Sequence, residues 1–284
     1  MRSWLFVPGS NERALEKYQK TESDIFIFDL EDSVSVQEKL KARKLVKETL
    51  GRTQKINYVR INSVNTSFAQ EDVFEVVQPG LSGIVMPKAE TKEDVLRLDQ
   101  QLCRWEEKRQ LPVGSIRIVP LIESALGLYQ AVEIAKSSPR VNRLMFGAVD
   151  FTLDINTQLT KTGTEILYAR SKLVIASRVA GIDPPIDTVY IDIHDEEGLL
   201  HDAQMAKQLG FQGKLVIHPK QIRVVNNVFT PSKKEIEDAQ RIVTANEQAE
   251  KDGLGVFQLD GKMVDLPVVE RAKKVLDIYN KLII

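Results

Sequence analysis

The sequence predicts a (β/α)8 TIM barrel that carries a C-terminal extension of helices and a hairpin. Short apolar or β-branched runs recur along the chain, and amphipathic helical stretches lie between them. Parallel strands buried on both faces read as continuous apolar runs and need helical crossovers. Eight such units in roughly 220 residues fit a barrel, whose usual size is about 250 residues. A doubly wound open sheet is less favoured because no GxGxxG follows any strand.

The individual elements follow from this alternation. The predicted strands are 3–9, 24–32, 56–62, 83–90, 115–124, 143–150, 188–193 and 213–219. Apolar positions three and four apart predict helices over 11–20, 37–50, 92–109, 124–138, 164–180 and 196–209.

The pattern changes after the eighth strand, and we therefore predict a barrel domain over 1–226 and an extension over 227–284. A long amphipathic helix covers 233–253, and Asp260-Gly261 indicates a tight turn between two short extended segments. A last helix covers 267–284. We expect the extension to pack on the barrel or on a neighbouring subunit.

Composition excludes several classes of function. The 284 residues include 39 basic and 40 acidic side chains, and the formal net charge is −1, which argues against a nucleic-acid or membrane-surface partner. The single cysteine, Cys103, excludes an intrachain disulfide or a cysteine zinc cluster. No stretch approaches the ~20 apolar residues of a membrane span, and the N-terminal apolar run is too short for a signal peptide. We expect a cytoplasmic protein.

Ionisable residues follow nearly every predicted strand, and in a barrel the carboxyl ends of the strands carry the chemistry. A ring of structural salt bridges is the less favoured explanation. The residues are Asp29, Glu31, Asp32, Arg60, Lys88, Glu123, Asp150, Asp192, His194 and His218.

Glu123 and Asp150 end adjacent predicted strands and should lie side by side. Two carboxylates that close repel each other unless a proton or a cation lies between them. Oxygen ligands without cysteine favour Mg²⁺ over zinc or iron. A general acid and base couple is the alternative.

The other residues at these strand ends supply charge and hydrogen bonds. Arg60 can stabilise developing negative charge, or form a salt bridge to Asp29 or Glu31, and the two roles are compatible. The small residues Gly147 and Ala148 allow backbone N–H groups to approach a substrate carboxylate. Lys88 is a candidate Schiff-base lysine, although a role as a charge partner is favoured.

Seven motifs in order resemble the citrate lyase beta-subunit-like branch of the HpcH/HpaI aldolase family. They are SWLFVPG, FDLEDSV, YVRIN, VPLIES, FGAVD, GKLVIHPKQI and DGKMVDLPVVERA, and together they span nearly the whole chain. The resemblance implies a Mg²⁺-dependent barrel enzyme that cleaves or forms a carbon–carbon bond between an acyl-CoA and a 2-oxo acid. The implied substrates are citryl-CoA, malyl-CoA or citramalyl-CoA.

The resemblance also assigns residue roles. It implies that Glu123 and Asp150 are metal ligands and that Arg60 contacts the 2-oxo acid. It implies that Asp265 reaches the active site of a neighbouring subunit in a homotrimer, where it would exchange a proton with the thioester methyl group. We therefore expect Arg60, Gly147, Ala148 and Glu123 to contact substrate, with support from Asp29, Glu31, Asp32 and Lys88.

Three alternatives stay open. The chain could be a lysine-dependent aldolase that uses Lys88 and no metal. It could be a subunit of a citrate lyase complex that is active only with its partner subunits. It could be a non-catalytic binding protein, which the full set of charged strand ends disfavours.

Overall fold

Eight parallel strands form a closed barrel, in which each strand pairs with the next along the chain and the eighth pairs with the first. The computed structural model describes residues 1–283. The predicted barrel is confirmed. The strands are β1 (Ser3–Pro8), β2 (Ile25–Asp29), β3 (Asn57–Arg60), β4 (Gly83–Met86), β5 (Arg117–Ile122), β6 (Met145–Phe146), β7 (Ile186–Asp187) and β8 (Gly213–Val216).

Helices connect the strands, and each buries one apolar stripe. In α4, for example, Val95, Leu98 and Leu102 are buried, and Thr91 with Asp94 forms a capping box at its start. The helices of this part are α1 (Glu12–Lys17), α2 (Lys39–Leu50), α3 (Ser67–Val76), α4 (Lys92–Lys108), α5 (Ala125–Tyr129), α6 (Ala131–Lys136), α7 (Ala148–Asp154), α8 (Leu167–Ala180), α9 (Glu196–Leu209) and α10 (Pro219–Phe229). The sequence patterns did not predict α3, α7 or α10.

The predicted strands extend beyond the observed ones, and two of the predictions need correction. The strand predicted over 188–193 is wrong: β7 ends at Asp187, and 188–193 form a loop. The apolar-run criterion passed over Asp187 because it is charged. Its carboxylate is buried in ion pairs with Arg170 and Lys214, at 2.9 and 2.6 Å. The strand predicted over 143–150 is also too long, since the chain enters α7 at Ala148.

The barrel interior positions the site by strand alternation. Buried side chains at its centre include Ile27, Tyr58, Leu121, Met145, Ile186 and Leu215. Side chains two positions apart on a strand share a face. The residues two positions further along are Asp29, Arg60, Glu123, Gly147, Thr188 and Ile217, and they line one cavity.

The chain divides into two compact units, Met1–Asn226 and a second that begins at Asn227. In the second unit α11 (Lys233–Lys251) packs on α12 (Leu266–Ile283), and β9 (Phe257–Leu259) pairs antiparallel with β10 (Lys262–Val264). The predicted Asp260-Gly261 turn is confirmed, with both residues at positive φ, 52° and 76°. The predicted last helix includes Ile284, which lies outside the described residues.

Every helix in residues 1–283 is too short or too polar to cross a lipid bilayer.

Candidate active site

A cavity of about 450 Å³ opens at the carboxyl ends of the barrel strands. Its charged lining residues are Asp29, Asp32, Arg60, Glu123 and Asp150. The structure therefore brings together the two carboxylates and the arginine that the sequence singled out.

Glu123 follows β5 and is almost completely buried, with 4% of its surface exposed. The Lys88 backbone N–H donates to its Oε1 at 2.7 Å. No lysine or arginine side chain within residues 1–283 forms an ion pair with it at 4 Å or less. The pKa of Glu123 is raised to about 8. Burial is the main cause, and the negative charges of Glu31 and Asp150 add to it. The position therefore favours a proton or a cation beside this carboxylate.

Gly147 makes the room that Glu123 occupies. A Cβ at this position would lie 2.5 Å from Glu123 Oε2 and 2.8 Å from Glu123 Cβ. The Gly147 N–H donates to Ile122 O at 2.9 Å, and the Ala148 N–H donates to Thr188 Oγ1 at 2.9 Å. Both amides thus have acceptors within the protein, contrary to the expectation that they are open to a substrate carboxylate. Gly147 instead leaves space for the carboxylate of Glu123, which a larger side chain would displace.

Asp150 lies in the first turn of α7 and not at the end of a strand. It is half-buried and lines the cavity, and its charge contributes to the raised pKa of Glu123. Glu123 and Asp150 therefore line the same cavity, although Asp150 lies on a helix and not at the end of a strand.

Arg60 is held by Asp29 in a bidentate ion pair, with Nε and Nη2 each 2.7 Å from a carboxylate oxygen. Its Nη1 lies 3.2 Å from Glu31 and 3.3 Å from Asp32, and its guanidinium stacks 4.8 Å from the centre of the Phe6 ring. Burial lowers the pKa of Arg60, but the three carboxylates outweigh it, and the net pKa is raised. The salt bridges from Arg60 to Asp29 and Glu31, one of the two roles considered for this residue, are present. They hold a permanently charged guanidinium at the cavity.

Asp29 anchors this end of the barrel. Besides Arg60, it accepts the backbone N–H groups of Glu31 and Ser33, at 2.9 and 3.1 Å. Burial raises the pKa of Asp29, but Arg60 and these donors outweigh it and hold the pKa below its ordinary value. Asp29 therefore stays ionised and orients Arg60.

Lys88 connects two of the carboxylates. Its Nζ donates to Glu31 Oε1 at 2.9 Å, while its backbone, at a φ of 50°, points its N–H at Glu123. Burial lowers the pKa of Lys88, but its hydrogen bond to Glu31 and the nearby carboxylates outweigh burial and raise the pKa. A Schiff-base lysine needs a neutral amine, so this environment argues against the lysine-dependent mechanism.

Asp192, His194 and His218 are not among the residues that line this cavity. Asp192 accepts the N–H of His194, and His218 Nδ1 accepts the N–H of Lys220 at 3.1 Å. Asp265 belongs to the second unit, is half-buried, and accepts the Val268 N–H at 3.3 Å at the start of α12.

A second cavity of about 450 Å³ adjoins the first, because both are lined by Phe6, Pro8 and Ile217. Arg13 and Lys17 of α1 line it as well. The sequence analysis missed these two cations. Their spacing of four residues, which places both on one face of a helix directly after β1, was the available signal.

The comparisons with known proteins agree with this fold. The sequence profile described as HpcH/HpaI aldolase/citrate lyase matches residues 2–219, and one described as C-C bond lyase of the TIM-barrel fold matches 161–278. Citrate lyase subunit beta of Haemophilus influenzae is 40% identical over 97% of this chain and 96% of its own. Mouse mitochondrial citramalyl-CoA lyase is 34% identical over 99% and 86%. The crystal structure of CitE from Mycobacterium tuberculosis, in complex with magnesium, acetoacetate and coenzyme A, superposes with a TM-score of 0.79 at 29% identity, over 98% of both chains. The chain belongs to the HpcH/HpaI aldolase/citrate lyase family.

Proposed function

We propose that this chain is a Mg²⁺-dependent lyase that cleaves or forms the carbon–carbon bond between an acetyl-CoA-type thioester and a 2-oxo acid. The observation that carries the proposal is Glu123, a buried carboxylate that lines the same cavity as Asp150 and has no ion-pair partner at 4 Å or less in residues 1–283. Arg60 lines the same cavity. The relatives' names, citrate lyase subunit beta and citramalyl-CoA lyase, support the reaction class.

The donor set fits magnesium. In residues 1–283 no three His, Cys, Asp or Glu side chains are grouped to hold a metal, so Glu123 and Asp150 would hold the ion as a pair. Magnesium commonly takes one or two protein carboxylates, and substrate and water supply its other ligands. When bound, the ion supplies positive charge next to the oxygens of the 2-oxo acid.

The chain's own residues account for the remaining chemistry. In cleavage, the hydroxyl of the thioester substrate loses its proton and becomes the carbonyl of the 2-oxo acid. The electron pair of the broken carbon–carbon bond passes to the carbon next to the thioester, which takes up a proton. Arg60, which Asp29 holds in place, stabilises the negative charge on the oxygen that becomes the carbonyl of the 2-oxo acid. Condensation reverses these steps.

We infer that Asp265 of a neighbouring chain in a homotrimer donates the proton to the carbon next to the thioester, and removes it in condensation. Support comes from large exposed side chains on α5, α7 and α8, where α5 packs on α8 and the Ala125 N–H of α5 donates to Asp154 of α7. Of these side chains, Tyr129, Leu153 and Tyr168 are 79%, 76% and 71% exposed. Exposed apolar patches of this kind mark protein interfaces.

Subunit mixing tests this assignment. Glu123→Gln should be inactive alone, and Asp265→Asn alone should keep only about 1% of the wild-type kcat. When the two variants are refolded together, up to about a quarter of the sites would combine intact residues from two chains and regain activity. If Asp265 acted in its own chain, the mixture would not exceed the activity of Asp265→Asn alone.

We infer that coenzyme A binds in the adjoining cavity. Arg13 and Lys17 form no ion pair at 4 Å or less with any carboxylate in residues 1–283, and both line this cavity. A pyrophosphate binds to such cations, and the shared wall at Phe6 and Ile217 connects this position to the carboxylate pair. We therefore place the nucleotide end of the thioester beside α1.

A second candidate function is work as a citrate lyase subunit, which the identity to citrate lyase subunit beta over nearly both full lengths favours. Assaying the purified chain alone on free citryl-CoA, malyl-CoA and citramalyl-CoA, with Mg²⁺ or with EDTA, distinguishes the two. Turnover that needs Mg²⁺ and no partner supports the independent lyase. Full activity in EDTA would overturn the metal-dependent mechanism. A cytoplasmic location stays a prediction from the composition.

A further inference from the structure

The short helix α7 carries Asp150, and a residue from another part of the barrel holds its first turn. Gly147 precedes the helix and has no side chain to cap it. The N–H of the first helical residue, the buried Ala148, instead donates to Thr188 Oγ1 at 2.9 Å. In the part of the chain that the structure describes, Thr188 is the one side chain that accepts an N–H from this turn. It therefore takes the part that an N-cap side chain plays in other helices.

Tertiary contacts have to fix α7, because a helix of 7 residues is too short to be stable by itself. At its far end the Ala125 N–H donates to Asp154 Oδ2 at 2.7 Å. On its inner side the ring of Phe151 lies 5.5 Å from that of Phe146. At its start the contact is the hydrogen bond to Thr188, and it lies within the same turn as Asp150.

Thr188 is itself held firmly. It is buried, with 2% of its surface exposed, and it directly follows Asp187 at the end of β7. The carboxylate of Asp187 is paired with Arg170 at 2.9 Å and with Lys214 at 2.6 Å, and all three of these side chains are fully buried. Buried networks of hydrogen-bonded ions restrain the backbone that carries them. The ion pairs at the end of β7 thus give the Thr188 hydroxyl a defined position.

We propose that Thr188 is a positioning residue for the magnesium site: by holding the first turn of α7, it sets where the carboxylate of Asp150 lies relative to Glu123. This inference rests on the proposed function, because it assumes that these two carboxylates hold the ion. Magnesium demands nearly ideal octahedral geometry, so a small displacement of one ligand weakens binding. Groups that orient metal ligands typically contribute about 10- to 100-fold to metal affinity.

Isosteric substitution tests the role of the hydroxyl. Thr188→Val keeps the shape of the side chain but removes the acceptor for the Ala148 N–H, whereas Thr188→Ser keeps that acceptor. In calorimetric titration of the substrate-free protein with Mg²⁺, Thr188→Val should weaken binding about tenfold, and Thr188→Ser should stay within about twofold of the wild type. Thr188→Ala also lacks the hydroxyl, should weaken binding as much, and replaces the valine variant if that variant does not fold.

Hydrogen exchange of the metal-free protein supplies a second measurement. The Ala148 amide should exchange at least about tenfold faster in Thr188→Val than in the wild type or in Thr188→Ser. Ser177 provides a matched control, since it is a buried residue on α8 whose Oγ has no hydrogen-bond partner in residues 1–283. Ser177→Ala should change neither the exchange rate of Ala148 nor the Mg²⁺ affinity.

The outcomes separate a positioning role from the alternatives. A folded Thr188→Val with wild-type Mg²⁺ affinity would overturn the proposal even if the Ala148 amide exchanged faster, because the bond would then stabilise the fold alone. A raised KM for the thioester with unchanged Mg²⁺ affinity would also overturn it, because the hydroxyl would then act on the substrate. Mg²⁺ affinities in the expected order, without turnover of any thioester by the wild type, would support the positioning role and refute the proposed function instead.

Discussion

The Glu123→Gln substitution should stabilise the metal-free protein at alkaline pH. In the folded chain burial raises the pKa of Glu123 from 4.5 to about 8. The folded state therefore holds a proton that the unfolded state releases, and this group makes stability fall as pH rises from about 4.5 to about 8. At ~1.4 kcal/mol per pKa unit, the loss above pH 8 is at most about 5 kcal/mol. Glutamine keeps the size and an acceptor for the Lys88 N–H but carries no charge.

Urea unfolding in EDTA measures the effect. The free-energy advantage of Glu123→Gln over the wild type should be small at pH 5.5 and reach several kcal/mol at pH 8.5. An exposed glutamate on α4, Glu107, provides the control, since Glu107→Gln should match the wild type throughout. Saturating Mg²⁺ should reverse the order by stabilising the wild type alone. A difference that does not vary with pH, or a glutamine variant that is less stable at pH 8.5, would refute the reasoning.

Three further substitutions test the rest of the site. Gly147→Ala places a Cβ 2.5 Å from Glu123 Oε2, so we expect a stability loss of ~1–3 kcal/mol and weaker Mg²⁺ binding, measured by urea unfolding and calorimetry. Asp265→Asn should lower kcat by about 100-fold while Mg²⁺ affinity is unchanged; lost affinity would contradict its role. Arg13→Ala should raise KM for the thioester about tenfold with kcat preserved, and the exposed Arg104→Ala should change neither parameter.

The fold was predictable from the sequence because buried parallel strands leave a strong local signal. Seven of the eight apolar runs contain a strand, and the Asp260-Gly261 turn lies where the chemistry of the two residues placed it. The signal failed at β7, where Asp187 is buried through ion pairs with partners from α8 and β8. Such compensation depends on tertiary structure and is invisible to a local pattern.

The site was predictable where it depends on strand order alone. Glu123 and Arg60 line one cavity because all parallel strands end at the same side of a barrel, and Asp150 lines it from the first turn of α7, directly after β6. Whether an amide is free depends on exact pairing, however, and the N–H of Gly147 turned out to bind Ile122 O. The roles of Glu123, Asp150, Arg60 and Asp265 stay predictions, whereas the family and the class of enzyme, a carbon–carbon lyase, are confirmed.

Three carboxylates at these strand ends differ in their donors, and that difference separates their roles. Asp29 receives two bonds from Arg60 and two backbone N–H groups, and its pKa is lowered despite burial. Glu31 has Lys88 and a longer contact to Arg60, and burial prevails and raises its pKa. Glu123, with a single backbone N–H as its hydrogen-bond donor in residues 1–283, shifts to about 8. The number of hydrogen bonds from cationic groups falls from Asp29 to Glu31 to Glu123. A bound cation would therefore stabilise the charged form of Glu123 the most. The protein's own ion pairs thus favour Glu123 over Asp29 as the proposed metal ligand, although both are buried carboxylates on the same inner face of the barrel.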